Sequence, residues 1–311
     1  MKYETAGDPI TGLKWTRKTT QKIAAELNSI DISVSPNTVA RLLKNMKYSL
    51  RVNHKSVECG NKNPPDPHDR DCQFKRIEKK REQYAKAGNP VISVDTKKKE
   101  LIGNFKNAGS SWEKEPVLVK DHDFPSDADG KAIPYGIYDT QMNQGTVFVG
   151  TTHDTPAFAV DSIETWWRTE GKKQYPDSDK ILILADSGGS NSARSRVWKY
   201  RLQKSLCDNF GLKVRVCHYP PGSSKWNPIE HRLFSEISKN WKGKPLISYE
   251  TVLKHIRTTK TTSGGLEVKA HFVRKKYETG ERVSDKIMKQ LNIEKSEILP
   301  QWNYILTPSK M

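Results

Sequence analysis

The stretch Tyr219–Trp241, YPPGSSKWNPIEHRLFSEISKNW, combines a strand end, a tight loop and the start of a helix. Asn227 followed by Pro228 is a typical helix start, since asparagine caps free N–H groups and proline fits the first helical position. The next apolar residues are spaced for one buried helix face: Ile229, Leu233, Phe234, Ile237 and Trp241. Glu230 therefore falls in the first turn. An acid there often only complements the helix dipole, and two other acids at strand ends favour a second interpretation.

Each of these two acids follows a short apolar run. Pro90–Asp95 reads PVISVD, and Asp186 follows the five apolar residues Ile181–Ala185. Such a run predicts a strand buried on both faces. A carboxylate directly after a buried strand is costly unless it binds a cation. The alternative interpretation is that these acids bind no cation. In that case Asp95 would be a turn residue, and Asp186 and Glu230 would be helix caps.

The order of elements around these acids predicts the fold class. The other predicted elements are strands at Leu101–Phe105, Ile133–Tyr138, Thr146–Thr152 and Leu212–Cys217 (the last strand), a helix from Thr155 and a helix at Ser192–Phe210. A group of strands followed by helix, strand, helix, strand and helix is the order of the ribonuclease H-like fold, an α/β fold with a mixed sheet flanked by helices. Strand ends in such a sheet gather at one edge, where ligands bind.

Three carboxylates at one edge would repel one another unless a cation lay between them. Hard oxygen ligands favour Mg²⁺ first and Mn²⁺ next. Two such ions about 3.5 to 4 Å apart can activate water or a 3′-hydroxyl for in-line attack on a phosphodiester. Asp95, Asp186 and Glu230 are therefore predicted to be both metal ligands and catalytic residues.

A second pattern lies near the start of the chain. Thr19–Tyr48 splits into two short helical segments, and Ser35 and Pro36 begin the second one. The second segment has an apolar face made of Val39, Leu42, Leu43 and Met46. This is the layout of a helix-turn-helix, whose second helix enters the DNA major groove, although such pairs also occur as plain structural units. The residues predicted to contact DNA there are Asn37, Thr38, Arg41 and Lys44.

Composition narrows the class of partner. The chain has 311 residues, 53 Lys and Arg and 36 Asp and Glu, and the net charge of +17 indicates a polyanionic partner or a lysine-rich surface. The sequence contains neither a membrane-spanning apolar run nor a signal peptide. Four scattered cysteines argue against a disulfide framework, so a cytoplasmic location is expected.

These patterns predict four regions. Residues 1–51 form a small all-α helix-turn-helix domain, and 52–89 form a linker with a basic helix at Asp71–Ala87. Residues 90–258 form the catalytic domain, and 259–311 form a basic C-terminal extension. The spacing of His54, Cys59, His68 and Cys72 matches no known zinc finger. Three further residues close to the acids are predicted to contact phosphates: Asn191, Arg194 and Lys225.

The strings VISVDTKKKELIGNF, ILILADSGGSN and PPGSSKWNPIEHRLFS resemble the three acidic motifs of DDE transposases of bacterial insertion sequences. The similarity is to the Rhodopirellula-type group, also called the ISAzo group, and distantly to mariner-like enzymes. It covers nearly the whole chain and implies that Asp95, Asp186 and Glu230 are the metal-binding triad. It further implies that the N-terminal helices help to recognise the terminal inverted repeats of the element.

The resemblance implies a transposase that acts on nucleoid DNA, cuts element ends and joins the 3′-hydroxyl to target DNA, as a homodimer or higher assembly. Members of the group carry a longer helical region upstream, whereas this sequence starts almost within the DNA-binding part, so a truncated reading frame is expected. Two alternatives remain open. One is a DNA-binding protein or defective fragment without catalysis, and the other is a metal-dependent nuclease that cuts without joining.

Overall fold

The computed structural model describes residues 18–50, 66–261 and 264–309, together with the backbone of two short strands at 5–7 and 14–16. Contacts divide the chain into two compact units, residues 1–60 and 61–311. Among the helices of the described ranges, none is long and apolar enough to cross a membrane.

The N-terminal unit contains the two predicted helices. Helix α1 spans Thr20–Asn28 and α2 spans Pro36–Asn45, with the side chains of Thr19 and Ser35 as caps, and the start predicted at Ser35 and Pro36 is confirmed. Strands β1 (Thr5–Gly7) and β2 (Lys14–Thr16) pair antiparallel. The sequence analysis expected an all-α unit, whereas this unit also contains two strands. Strands of three residues are too short to leave a readable period in the sequence.

The core of this unit is narrow. Ile23 and Ala24 of α1 pack with Val39 of α2. Leu42 is 45% exposed and Met46 is 64% exposed. The prediction that these two belong to the buried face is wrong, because the buried contact of α2 with α1 covers only a narrow stripe of its surface.

Helix α3, Pro67–Lys86, leads into the larger unit. It begins four residues before the predicted start, since the Asp66 side chain accepts a hydrogen bond from His68 N–H and caps it. The predicted linker was therefore too long at its C-terminal end, and its remainder, including His54 and Cys59, lies outside the described residues. Ile77 anchors α3 to the sheet by packing with Val91 and neighbouring strand residues.

The larger unit is built on a nine-stranded mixed sheet. Its strands are β3 (Val91–Thr96), β4 (Glu100–Ile102), β5 (Gly130–Asp139), β6 (Gln144–Gly150), β7 (Lys180–Ala185), β8 (Lys213–His218), β9 (Glu267–Phe272), β10 (Ile293–Lys295) and β11 (Asn303–Leu306). The order is β10-β11-β8-β7-β3-β5-β6-β9, with β4 paired to β5. Within it, β5 pairs antiparallel with both β3 and β6, and β7 and β8 run parallel to β3. This is the ribonuclease H-like arrangement, so the predicted fold class is confirmed.

Two strand predictions were wrong. The strand expected at Leu101–Phe105 is shorter and pairs with β5, whereas β3 pairs directly with β5 and β7. Strand β8 is not the last one, because β9 joins β6 at one edge and β11 joins β8 at the other. Residues 259–311 therefore contribute to the central sheet and are not only an extension. Pairing between such distant segments leaves no local pattern in the sequence.

Helices cover both faces of the sheet. They are α4 (Pro156–Trp166), α5 (Lys172–Gln174), α6 (Arg196–Leu202), α7 (Ser235–Asn240), α8 (Tyr249–Arg257) and α9 (Asp285–Lys289). Residues of α4 and α6 pack in one core cluster, and residues of α7 and α8 pack in another. Helix α6 begins four residues later than predicted, since a 3₁₀ turn at Gly189–Asn191 precedes it and Ser195 caps it.

Candidate active site

Strand register places two of the three predicted acids side by side. Strands β3 and β7 are parallel, and Val94 pairs with Ala185 in the last rung of the ladder. Asp95 and Asp186 are the next residues of their chains, so both reach the same edge of the sheet. Both strands are buried on both faces, as their apolar runs predict.

A buried hydrogen-bond network brings Glu230 to this edge. The hydroxyl of Ser93 donates to Asn227 Oδ1 at 2.5 Å and accepts the N–H of Ile229 at 3.0 Å. Asn227 Nδ2 also donates to the carbonyl of Val94 at 3.2 Å. Asn227 is therefore not the side-chain N-cap that the sequence predicted. Its side chain instead fastens the π-helix Glu230–Phe234 (the Glu230 helix), which leads directly into α7, to the strand that carries Asp95.

Burial is the largest cause of a raised pKa at all three acids, and neighbouring carboxylates add to it at Asp95 and Asp186. Burial, and then the charges of Asp186 and Glu230, raise the pKa of Asp95 from 3.8 to about 8. Burial also raises the pKa of Asp186 to about 6, and the charge of Asp154 adds to it. Burial raises the pKa of Glu230, while the ammonium group of Lys97 works against the shift. Such a site favours binding of a cation.

The chemistry of the donors fits a divalent ion. Oδ1 of Asp186 is buried and has no hydrogen-bond partner, so one hard oxygen ligand is free. In the described ranges, no group of three His, Cys, Asp or Glu side chains is gathered closely enough to hold an ion. Like-charged carboxylates keep apart without a cation between them, and the side chains of Asp95, Asp186 and Glu230 would have to converge on one.

Comparison with known proteins assigns the family. Residues 1–308 match the family described as Rhodopirellula transposase DDE domain. The chain belongs to this transposase family. No curated protein matches the chain.

The family member is also similar to solved structures of Mos1 transposase. For the paired-end complex with the left transposon end, identity is 16%, the TM-score is 0.44, and the match covers 76% of this chain and 65% of that chain. The Mos1 strand transfer complex matches with 16% identity and a TM-score of 0.44, over 76% of this chain and 64% of that one. The chain thus spans about 65% of the length of the first of these relatives.

The sequence analysis missed two residues of the candidate active site. Asp154 follows β6, and its Oδ1 accepts a hydrogen bond from Thr96 Oγ1 at 3.0 Å. It is a fourth acid at a strand end, a signal that the sequence contained. Lys97 is buried, with Nζ 3.2 Å from Glu100 and 4.4 Å from the centre of the Trp241 ring. Burial lowers its pKa.

A third missed feature holds the backbone of Asp186. His218 Nδ1 lies 2.7 Å from the Asp186 carbonyl oxygen, and its Nε2 lies 3.1 Å from the hydroxyl of Tyr304. Trp198 Nε1 donates to the same hydroxyl at 2.8 Å. Burial lowers the pKa of His218 to about 4, so the ring is neutral, donating from Nδ1 and accepting at Nε2. Because Tyr304 comes from β11, local sequence around Asp186 could not show this support.

The predicted phosphate contacts of this transposase-family chain divide into two groups. Arg194 and Lys225 are exposed, and both remain candidates for DNA contact. Asn191 is only 1% exposed, and its Oδ1 accepts a hydrogen bond from the Tyr135 hydroxyl at 2.8 Å. Its side chain also lowers the pKa of Asp186. The expected phosphate contact is therefore wrong for Asn191, because the 3₁₀ turn directs it inward.

The predicted DNA-reading residues lie on α2. Asn37, Arg41 and Lys44 are exposed, and their spacing places them on one side of the helix. Thr38 is half-buried, and its hydroxyl lies 3.0 Å from the Ser35 hydroxyl at the helix cap. Their role in DNA binding stays a prediction.

Proposed function

We propose that the chain is a DNA transposase, a polynucleotidyl transferase that cuts DNA at the ends of an insertion sequence and joins the 3′-hydroxyl to target DNA. The observation that carries this proposal is the meeting of Asp95, Asp186 and the helix of Glu230 at one sheet edge. Membership of a transposase family supports it.

The three carboxylates would hold Mg²⁺ or Mn²⁺, with two ions in the proposed site. When bound, such ions activate the attacking oxygen and stabilise the leaving oxygen of a phosphodiester. The free Oδ1 of Asp186 supports the proposal. Two Mos1 structures are described as paired-end complexes with Mn and with Mg, respectively.

The chain's own residues would position the reacting groups. In the first step water attacks the scissile phosphorus and the 3′-oxygen leaves. In the second step the new 3′-hydroxyl attacks the phosphorus of a target phosphodiester, and the 3′-oxygen of the target strand leaves. His218 and Asn191 would hold Asp186 in place, and the Ser93 and Asn227 pair would hold Glu230 against β3. Fixed carboxylates cost no reorganisation when the reaction occurs.

The exposed side of α2 would read the terminal inverted repeats through Asn37, Thr38, Arg41 and Lys44. The surplus of basic residues would serve phosphate contacts with both end and target DNA. Pairing two element ends requires at least two subunits, so we propose a homodimer or higher assembly as the active form.

The test is cleavage and strand transfer on a labelled duplex that carries the inverted repeat flanking the gene, with Mg²⁺ or Mn²⁺. Wild type and Asp186→Asn are compared with Asp177→Asn, which makes the same change at an exposed loop position. We expect metal-dependent nicked and joined products from wild type and Asp177→Asn. Asp186→Asn should bind the duplex without forming products.

Three outcomes would contradict the proposal in different ways. Binding without cutting in either metal would leave a DNA-binding protein without catalysis. Cutting without joining would indicate a metal-dependent nuclease. Equal activity in Asp186→Asn would show that the carboxylates at this edge do not carry the reaction.

A further inference from the structure

A second concave site is lined in part by Tyr304, which belongs to the hydrogen-bonded network behind Asp186. It is a cavity of about 560 Å³ between α6, α9 and the hairpin of β10 and β11. This volume falls within the range of small-molecule sites, about 300 to 1,000 Å³. None of the residues proposed as metal ligands lines it.

The charge of the cavity is strongly positive. Five basic side chains line it, against the single acid Asp285, which pairs with Arg196 at 2.7 Å. The other four make no ion pair and no side-chain hydrogen bond within the part of the chain that the structure describes: Arg194, Lys199, Lys289 and Lys295. The cavity therefore holds several cations without an anion to balance them.

The charged form of Lys199 is destabilised in this cavity. Its Nζ lies 5.3 Å from the centre of the Tyr304 ring, on the inner wall of the cavity. Burial, and then the charge of Lys295, lower the pKa of Lys199. A half-buried ammonium group that a second ammonium group repels is stabilised when an anion binds between them.

The rest of the lining is apolar and comes from Met288, Leu291, Ile293 and Pro300. Cations beside apolar walls suit a ligand that has both a phosphate and an apolar ring or sugar. The outside of a DNA duplex is convex and presents mainly phosphates, so it would leave the apolar walls unused. An unpaired nucleotide would use both parts of the cavity.

The position of the cavity connects it with the reaction. Tyr304 in its wall lies within hydrogen-bond distance of His218, which in turn contacts the Asp186 carbonyl. Arg194 at its rim follows Asn191, whose side chain lowers the pKa of Asp186. A DNA strand held at the carboxylates could therefore extend a neighbouring nucleotide into the cavity.

We propose that this cavity binds an unpaired nucleotide of the DNA substrate, with its phosphate on Lys199 and Lys295 and its sugar or base against Leu291 and Ile293. The proposal rests on the proposed function only in taking DNA as the substrate. It assigns a second contact for the strand, separate from the carboxylates.

The test compares full-length wild type with Lys199→Gln/Lys295→Gln. The control Lys172→Gln/Lys173→Gln removes two exposed lysines of α5 and changes the charge equally. Binding is measured by fluorescence anisotropy in EDTA over a salt series. The ligands are a blunt duplex, the same duplex with a short single-stranded overhang, and a free deoxynucleoside monophosphate. Melting temperatures check that each variant is folded.

We expect the cavity variant to lose affinity for the overhang substrate, with a salt slope smaller by about 0.7, since the cavity would hold one phosphate and each single-strand phosphate contact contributes about 0.7. Affinity for the blunt duplex should match the control variant. Unchanged overhang binding would overturn the proposal, as would an equal loss on the blunt duplex. A free monophosphate bound as tightly as the overhang would overturn the assignment to a DNA strand.

Cleavage measured in parallel separates this proposal from the proposed function. If wild type does not cut DNA but the cavity variant loses overhang binding, the transposase proposal fails and the nucleotide site stands. If wild type cuts and joins DNA while the cavity variant binds the overhang as the control does, the nucleotide site alone is refuted.

Discussion

Removal of one buried hydroxyl group should loosen the helix that carries Glu230. Ser93→Ala deletes the donor to Asn227 Oδ1 and the acceptor of Ile229 N–H. Ser93, Asn227 and Ile229 are all fully buried, so water cannot replace the lost partner without a structural change. Each buried polar group left without a partner costs about 1 to 3 kcal/mol. Two such groups give a loss of about 2 to 6 kcal/mol in the free energy of unfolding.

The assay is urea unfolding of the full chain, monitored by tryptophan fluorescence. The matched control is Ser162→Ala, which removes a buried hydroxyl whose one hydrogen bond, 2.8 Å to the Phe158 carbonyl, lies within α4. That change should cost about 1 kcal/mol. If Ser93→Ala were no less stable than Ser162→Ala, the network between β3 and the Glu230 helix would not stabilise the fold as argued.

Three further results are expected. Because the pKa of Asp95 is raised from 3.8 to about 8, the stability of the metal-free protein should fall as pH rises from about 3.8 to 8. Melting temperatures measured across this pH range should fall less in Asp95→Asn than in wild type. An unchanged pH slope would contradict the raised pKa of Asp95, which is caused first by burial and then by the charge of Asp186. The pKa of His218 is lowered to about 4, so stability should be lost as pH falls from about 6.5 to 4, and NMR should show a neutral ring at pH 5.5. A ring that titrates near 6.5 would refute its burial. In Gly136→Ala the new Cβ would lie 2.6 Å from Phe234 Cε1, so the free energy of unfolding should fall by about 1 to 3 kcal/mol. In the control Gly188→Ala the nearest atom to the new Cβ is 3.5 Å away, so the free energy of unfolding should hardly change.

The central strands could be predicted because their patterns are local. Ile181–Ala185 is a continuous apolar run, and the structure buries each of its residues. The caps of α1 and α2 were equally readable, since Thr19 and Ser35 stand directly before a helical period. These features fix the order of elements, and the order fixes the fold class.

The supports of the acids could not be predicted, because their partners lie far apart in the sequence. Asn227 has the local signature of a helix cap, yet its side chain bonds to Ser93 and Val94 on a strand more than a hundred residues earlier. Tyr304 reaches His218 only because β11 joins the sheet beside β8. Asp154 was visible as an acid after a strand, but only the assembled sheet brings it near Asp186.

The central claim is that Asp95, Asp186 and Glu230 form one divalent-metal site. The most direct measurement is Mn²⁺ binding to the purified chain, monitored by calorimetry and electron paramagnetic resonance. This binding assay requires no knowledge of the DNA sequence at the element ends. Wild type and the control Asp177→Asn should bind Mn²⁺, whereas Asp95→Asn, Asp186→Asn and Glu230→Gln should each lose affinity. Binding that is equally strong in all five proteins would place the metal elsewhere and contradict the account.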